Sequence, residues 1–548
     1  MRCRSDAGHR GRWGRISSLW GLVLGAVALI AALIGLLWMG GPGEEPAADR
    51  ITMFCAAGLR EPVERVARAY TDETGVEVDL QYGGSNTLLN QIEINKFDSA
   101  DLYLAGDDFY TQEAVDRGLA AEVLPIAEMR LVVVVREGNP KGVESFDDLL
   151  RDDLTVSMPS PDQAAVGRAV RQVLEGQADG EGTRWDRLEE QVTRSGVFKP
   201  TVNDVANDVK VGAADVGIVW DFTAKASGYR DDLDPISLPE LDGPPNLVSV
   251  AVLHASRQPT AALKFARYLT ARDRGLPVFK EAGLQPVEGD VWADRPQITF
   301  FCGAVNRKAV ETIVQEFAAR EGVEVNTIYD GCGILTGRMK TIDDQRTDLG
   351  FPDIYMACDE YYLENVKEWF QDAASVSSTE IVIVVPKGNT KVSTLDNLLE
   401  PGVRVAVGQP DQCTIGALTR RLLAREGLYD RLKEKQGQPG EVVVEKSSSA
   451  LLVPDVVTGH VDAAIAYHCD TLASQDAIDV VRIDSTLNQA IQPLSIARNS
   501  DHKALSRRLY NRVTSSPEAF TAAGFEFLLN RPSPIATTPE AEDAARVD

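Results

Sequence analysis

Apolar and polar positions along residues 51–290 switch repeatedly between two periods. ITMFCAAG (51–58) is an apolar run of strand length that ends at a glycine. REPVERVARAYTDETG follows with Val63, Val66, Ala67 and Tyr70 on one helical face. VEVDLQYGG reads as a strand, NTLLNQIEI as a helix, and ADLYLAGD and RLVVVVREG as further strands. LTVSMPS opens a second series of the same kind, closing at VGIVWDF. NLVSVAVLHAS and the helix TAALKFARYLTA predict a return to the first series. Strands alternating with amphipathic helices predict a mostly parallel α/β arrangement. Two such series with a crossover each way predict two lobes around a cleft.

The pattern then recurs about 250 residues on. ITMFCAA (51–57) meets ITFFCGA (298–304), and YGGSNTLL (82–89) meets YDGCGILT (329–336). ADLYLAGDDFY (100–110) meets PDIYMACDEYY (352–362), PDQAAVG (161–167) meets PDQCTIG (410–416), and ADVGIVW (214–220) meets VDAAIAY (461–467). A period this long is a duplicated domain, not a solenoid repeat. The expected organisation is a basic tail (1–17), an apolar segment (18–39), a linker (40–50), unit one (51–290), unit two (297–531) and a disordered, Pro-rich acidic tail (532–548).

Ser18 to Met39 is uncharged, with Trp20 and Trp38 near its ends. It is long enough to span a bilayer, and the Arg-rich flank predicts that everything after residue 40 lies outside the cytoplasm. An uncleaved membrane anchor is expected; a long signal peptide cleaved near Ala47–Ala48 is the alternative. The net charge is −26, and residues 1–17 contribute +4 of it, leaving −30 on the rest. Such an acidic chain lacks the basic face that nucleic-acid binding needs.

In open α/β sheets, ligands bind beyond the carboxyl ends of the strands. Those loops in unit one hold Ala57, Gly58, Gly83, Gly84, Ser85, Asn86, Thr87, Val166, Gly167 and Trp220, none of them charged. Several fall where a helix begins. Unsatisfied N–H groups and the positive end of the dipole hold an anion there without Lys or Arg. The competing reading of Gly-Gly-Ser-Asn is a turn followed by an N-cap.

On FCAAGL, YGGSNTLLNQIE, ADLYLAGD, VVVVREGNP, the Pro-Asp-x-x-x-x-Gly loop and GIVW, taken in order, unit one resembles the periplasmic molybdate/tungstate-binding proteins. These are solute receptors of ABC importers. The resemblance implies a type II periplasmic-binding fold, molybdate or tungstate as ligand, and ABC permease subunits as partners. No enzyme activity is expected, and no cofactor beyond a possible soft metal at the unit two cysteines. Two serines, two backbone amides and a Tyr hydroxyl surround the oxyanion in that family. Carried over, these positions fall on Gly58, Ser85, Val166, Val202 and Trp220, so the first serine is missing and an indole replaces the phenol. In unit two they fall on Val305, Cys332, Ile415, Ser449 and Tyr467.

Cys302, Cys332, Cys358, Cys413 and Cys469 each fall at or beside a cleft-facing loop of unit two and are expected to converge there. Three readings stay open: disulfides, a soft-metal or thiol-ligated site, and buried thiols acting as small apolar residues. The alternative function is a membrane-anchored sensor or scaffold whose second unit binds a soft metal or nothing. GCGILTG (331–337) mimics a dinucleotide fingerprint, with wrong final spacing. No Gly-x-Ser-x-Gly elbow, Walker loop or HExxH occurs. Asp107/Asp108 and Asp359/Glu360 read as caps or solvated carboxylates rather than catalytic pairs.

Overall fold

The computed structural model describes residues 50–95, 100–344 and 350–529. The apolar segment 18–39, the basic tail and the acidic tail lie outside the described residues, so the expected anchor is not addressed by them. No helix among the described residues is long and apolar enough to cross a membrane.

Unit one begins with strand β1 (Arg50–Ala56). Helix α1 (Arg60–Thr74) buries Val63, Val66, Ala67 and Tyr70, the face its sequence period marks. It stops at Gly75, whose φ of 78° is left-handed and whose N–H bonds the Thr71 carbonyl. Strand β2 (Glu77–Gly83), helix α2 (Ser85–Ile94) and strand β3 (Leu102–Ala105) follow. β1 pairs in parallel with both β2 and β3, in a register that sets Ala56 beside Gly83 and Cys55 beside Leu104. The carboxyl ends of three strands therefore meet at one edge.

Strand β4 (Ala120–Met129) belongs to this sheet, and the chain leaves it there for β5 (Leu131–Arg136), which begins the second lobe. That lobe adds β6 (Val156–Pro159), helix α3 (Ala165–Glu175), β7 (Val197–Lys199), helix α4 (Val202–Lys210), β8 (Val216–Trp220) and β9 (Leu233–Ile236). Its sheet order is β9-β5-β8-β6-β7. Strand β10 (Asn246–Leu253) then returns to the first sheet between β3 and β4, as the sequence pattern predicted. The crossing at Arg130 is pinned to the end of β8: Asp221 Oδ1 accepts the Arg130 N–H at 3.2 Å, and the Arg130 carbonyl accepts the Asp221 N–H at 2.8 Å.

Unit two repeats the plan, with its sheets joined differently. The strand Phe370–Pro386 runs unbroken for 17 residues through both lobes, so its two sheets merge into one of ten strands. Its first half pairs with Gln489–Ala497 and its second with Ala463–Tyr467. Asp107 and Asp359 cap helices in equivalent places, accepting the N–H of Phe109 and Tyr361 at 2.9 and 3.0 Å.

Each unit has its own hydrophobic core, one within residues 51–284 and one within residues 298–525. The contact between them is polar. Glu321, 1% exposed, receives Arg267 Nη1 on its carbonyl at 2.6 Å and on Oε2 at 3.1 Å. Arg508 forks onto both carboxylate oxygens of Glu321 at 2.6 and 3.0 Å. Arg320 makes the same bidentate contact with Glu122 at 2.8 and 2.9 Å. Asp290 accepts the N–H groups of Ala504 and Leu505 at 2.8 and 2.9 Å, holding the start of the helix Lys503–Thr514.

Candidate functional site

The carboxyl ends of β1, β2 and β3 face the amino ends of α3 and α4 across the cleft of unit one. A cavity of about 30 Å³ lies between them. From the first lobe it is lined by Ala57, Gly58, Gly83, Gly84, Ser85 and Gly106. From the second come Ala164, Ala165, Val166, Thr201, Val202, Trp220 and Phe222. A volume of this order holds about two waters, or one small polyatomic ion in their place.

The lobes are closed on each other by backbone. The N–H of Asn86 donates to the Gln163 carbonyl at 3.2 Å, and its side-chain amide donates to the Asp162 carbonyl at 2.7 Å. Asn203 Nδ2 reaches back to the Ala57 carbonyl at 2.8 Å. Closure depends on Gly84. A Cβ there would stand 2.5 Å from the Gln163 carbonyl oxygen and 2.9 Å from that of Pro200. Asn86 is thus a correction to the expected site: its amide bridges the lobes and does not line the cavity, because its helical position aims it along the seam. Thr87 and Gly167 also lie outside the lining.

Ser85 begins α2 and is 2% exposed. Its Oγ accepts the Gly106 N–H at 3.1 Å, and its carbonyl accepts the Tyr103 hydroxyl at 2.8 Å. No side chain caps α2 or α3. The first N–H groups of α3, at Ala165 and Val166, have no partner within their helix and open on the cavity. At α4, Thr201 Oγ1 takes the Asp204 N–H at 3.3 Å.

None of the lining residues carries a charge. The nearest cations are committed elsewhere. Arg60 stacks on Tyr82 at 4.1 Å. Arg168 pairs with Asp107, bonds Gln172 at 2.6 Å and covers Phe109 at 4.2 Å. Burial pushes the Asp107 carboxyl up to about 6, opposed by the Arg168 charge and the Phe109 N–H. The arrangement offers donors and a helix-dipole field to an anion.

Unit two encloses a smaller cavity, about 10 Å³. Val305, Cys358, Cys413, Thr414, Ile415 and Tyr467 line it, with Ala304, Gly331, Ser448 and Ser449. It closes on the same backbone contact: a Cβ on Gly331 would stand 2.4 Å from the Gln412 carbonyl oxygen. Gly331 and Gly333 both serve this close approach, so GCGILTG is a closure loop rather than a dinucleotide turn.

The five thiols do not all reach the cleft. Cys358 and Cys413 border the cavity. Cys332 lies beneath it, fully buried, with its Sγ 2.9 Å from Cys358 Sγ. The Cys358 N–H donates to Cys332 Sγ at 3.1 Å, the same bond that Gly106 makes to Ser85. Cys302 is buried at its strand end, its thiol directed at the Gly303 carbonyl at 3.7 Å. Cys469 lies off the lining, its N–H bonded to Thr379 Oγ1 at 3.3 Å. All five are free thiols, so the disulfide reading does not describe this structure. Among the described residues no group of three or more His, Cys, Asp or Glu side chains is placed to hold a metal ion. The expected convergence therefore reduces to a pair, Cys332 with Cys358, and one thiol across the cleft.

Sequence reasoning missed Phe222, Ala164, Ala165, Thr201 and Gly106 in unit one, and Thr414 and Ser448 in unit two. The aligned loops held a signal for some of these: Ala164 and Ala165 of PDQAAVG stand where PDQCTIG has Cys413 and Thr414.

A search of protein families matches one model, described as bacterial extracellular solute-binding protein, to residues 51–285 and again to 298–526. The molybdate-binding protein ModA of Mycobacterium tuberculosis is 28% identical over 267 residues, covering 47% of this chain and 94% of that protein. A putative binding protein of Haemophilus influenzae is 26% identical over 242 residues, covering 44% of this chain and 93% of its own. A putative ABC transporter substrate-binding lipoprotein of Bacillus subtilis, YvgL, is 29% identical over 160 residues, covering 28% of this chain and 58% of that protein. With the family model matched across both two-lobed units and their closed clefts, this chain belongs to the bacterial extracellular solute-binding protein family.

Proposed function

We propose that unit one binds a tetrahedral oxyanion, molybdate or tungstate, outside the cytoplasm and presents it to the permease of an ABC importer. The observation that carries this reading is the uncharged cavity of about 30 Å³ between the lobes. It is fed by the Ser85 hydroxyl and by uncapped helix starts at Ala165 and Val166. A fully deprotonated oxyanion only accepts hydrogen bonds, so a site made of donors selects it without a cation. The names of the relatives from Mycobacterium and Bacillus support the ligand and the importer. Gly58 leaves one donor fewer than the resemblance implies, and Trp220 supplies an indole where it implies a phenol. The segment 18–39 would tether the protein to the membrane. No catalysis and no resident cofactor form part of this reading.

Calorimetric titration of the full-length protein with molybdate, tungstate and sulfate tests it. One equivalent of molybdate or tungstate should bind per chain, more tightly than sulfate. Absence of heat with all three anions, or preference for a cationic or organic solute, would contradict it.

A sensor or scaffold role for the second unit gains support from one observation. Its cavity is a third of the first in volume, with Cys332 where Ser85 supplies a hydroxyl. The unit two cleft is therefore read apart from molybdate.

A further inference from the structure

Unit two differs from unit one at a connected set of positions. Where unit one has Ala56, Ser85 and Gly106, unit two has Gly303, Cys332 and Cys358. These changes depend on one another. A Cβ on Gly303 would stand 2.2 Å from Cys358 Sγ and 2.8 Å from Cys332 Sγ. Loss of the alanine methyl is what admits the thiol pair. The two sulfurs then touch at 2.9 Å, one buried at the start of a helix and the other on the cavity wall.

A second observation points to an occupant. The hydroxyls of Tyr467 and Thr414, 1% and 2% exposed, border the cavity and have no hydrogen-bond partner. Buried hydroxyls are ordinarily satisfied, so two on the wall of one small cavity mark a polar group that belongs between them. The cavity has room for about one water-sized group. Burial pushes the Cys332 thiol up, but hydrogen bonding, that with the Cys358 thiol first, outweighs it and brings it below its ordinary value. Its hydrogen bond with Cys332 and burial raise the Cys358 thiol. None of the residues lining this cavity is an Asp, Glu, Lys, Arg or His, so the cleft suits a neutral ligand.

We propose that the unit two cleft captures a neutral, thiophilic trihydroxide of trivalent arsenic or antimony through Cys332 and Cys358. Two As–S bonds form and two As–O bonds break. The thiol protons leave with the two hydroxyls as two waters, and no atom changes oxidation state. One hydroxyl stays on the arsenic and fills the water-sized cavity, within reach of Tyr467 and Thr414. Cys413 is not a third ligand, since its Sγ is directed at the carbonyls of Gln409 and Lys446 at 3.5 and 3.4 Å. This inference stands apart from the oxyanion reading of unit one.

The test is arsenite added to the purified full-length protein, kept reduced with a phosphine and desalted before elemental analysis. One arsenic should be retained per chain, with loss of two titratable thiols. Cys332→Ser and Cys358→Gly should each lower retained arsenic at least tenfold, while Cys413→Ala should leave it unchanged. The double variant Gly303→Ala/Cys358→Gly restores the unit one pairing at these sites and controls for misfolding. It should stay folded by thermal melt and bind no arsenic. No retention by the parent protein, equal retention by the variants, or equal loss in Cys413→Ala would overturn the proposal. So would a Cys332–Cys358 disulfide that withstands the phosphine.

Discussion

Ser85 Oγ accepts the backbone N–H of Gly106 at 3.1 Å at the wall of the cleft, which leaves the serine's own proton available to donate. A hydroxyl fixed in this way is a donor before any ligand arrives. Ser85→Ala removes it and also strands the Gly106 N–H. Oxyanion affinity should fall by about 1–3 kcal/mol, the cost of leaving a buried charged oxygen one donor short. Calorimetry on the variant checks this; an unchanged affinity would remove Ser85 from the site.

Gly84 is the steric condition for closure, with the Gln163 carbonyl 2.5 Å from any Cβ placed on it. Gly84→Ala should hold the lobes apart and weaken the ligand at least tenfold, about 1.4 kcal/mol. Small-angle scattering with saturating ligand should show the parent compacting more than the variant. Equal compaction in both would contradict the closure account.

Arg60 lies near the cleft yet is spent on the Tyr82 ring at 4.1 Å. Arg60→Gln should change oxyanion affinity less than about twofold, because exposed charges at this range are screened. A large loss would show that a cation takes part in binding.

Glu321 of unit two meets Arg267 of unit one while almost fully buried, with Arg508 of its own unit forked onto the same carboxylate. Burial pushes its carboxyl up, but the two guanidinium groups outweigh that and hold it below the ordinary carboxylate range. Its contribution to stability is therefore complete above the unfolded carboxyl value and is lost as pH falls through the lower folded value. Glu321→Gln leaves two buried cations unpaired and should cost about 3–5 kcal/mol. Thermal melts across pH 3–7 check both points: the parent should lose stability towards the acid end, and the variant should start low and respond less.

Much of the fold was legible because period and repeat agreed. Val63, Val66, Ala67 and Tyr70 mark the buried face of α1, and NLVSVAVLHAS does return to the first sheet. Strand-end loops located Ala57, Gly58, Gly83, Gly84, Ser85, Val166 and Trp220 of the lining, and the family resemblance added Val202. What failed was side-chain direction. Asn86 lies one residue past Ser85, and a helix turns about 100° per residue, so it faces the opposing lobe. Cys469 and Cys302 sit at strand ends as expected, but burial behind the lining is invisible in a linear pattern. Phe222 and Gly106 were missed because one reads as core and the other as a turn. Gly303 was legible only in space, where its missing Cβ makes room for Cys358.

Diffraction at the molybdenum or tungsten absorption edge, from crystals of the full-length protein loaded with the anion, tests the central claim most directly. The account predicts one strong anomalous peak in the unit one cleft, with oxygens of the anion around it within hydrogen-bond distance of Ser85 Oγ and the Val166 N–H and no Arg or Lys in contact. A peak bound to Arg60 or Arg168, a peak only in the unit two cleft, or no peak in the unit one cleft would contradict it.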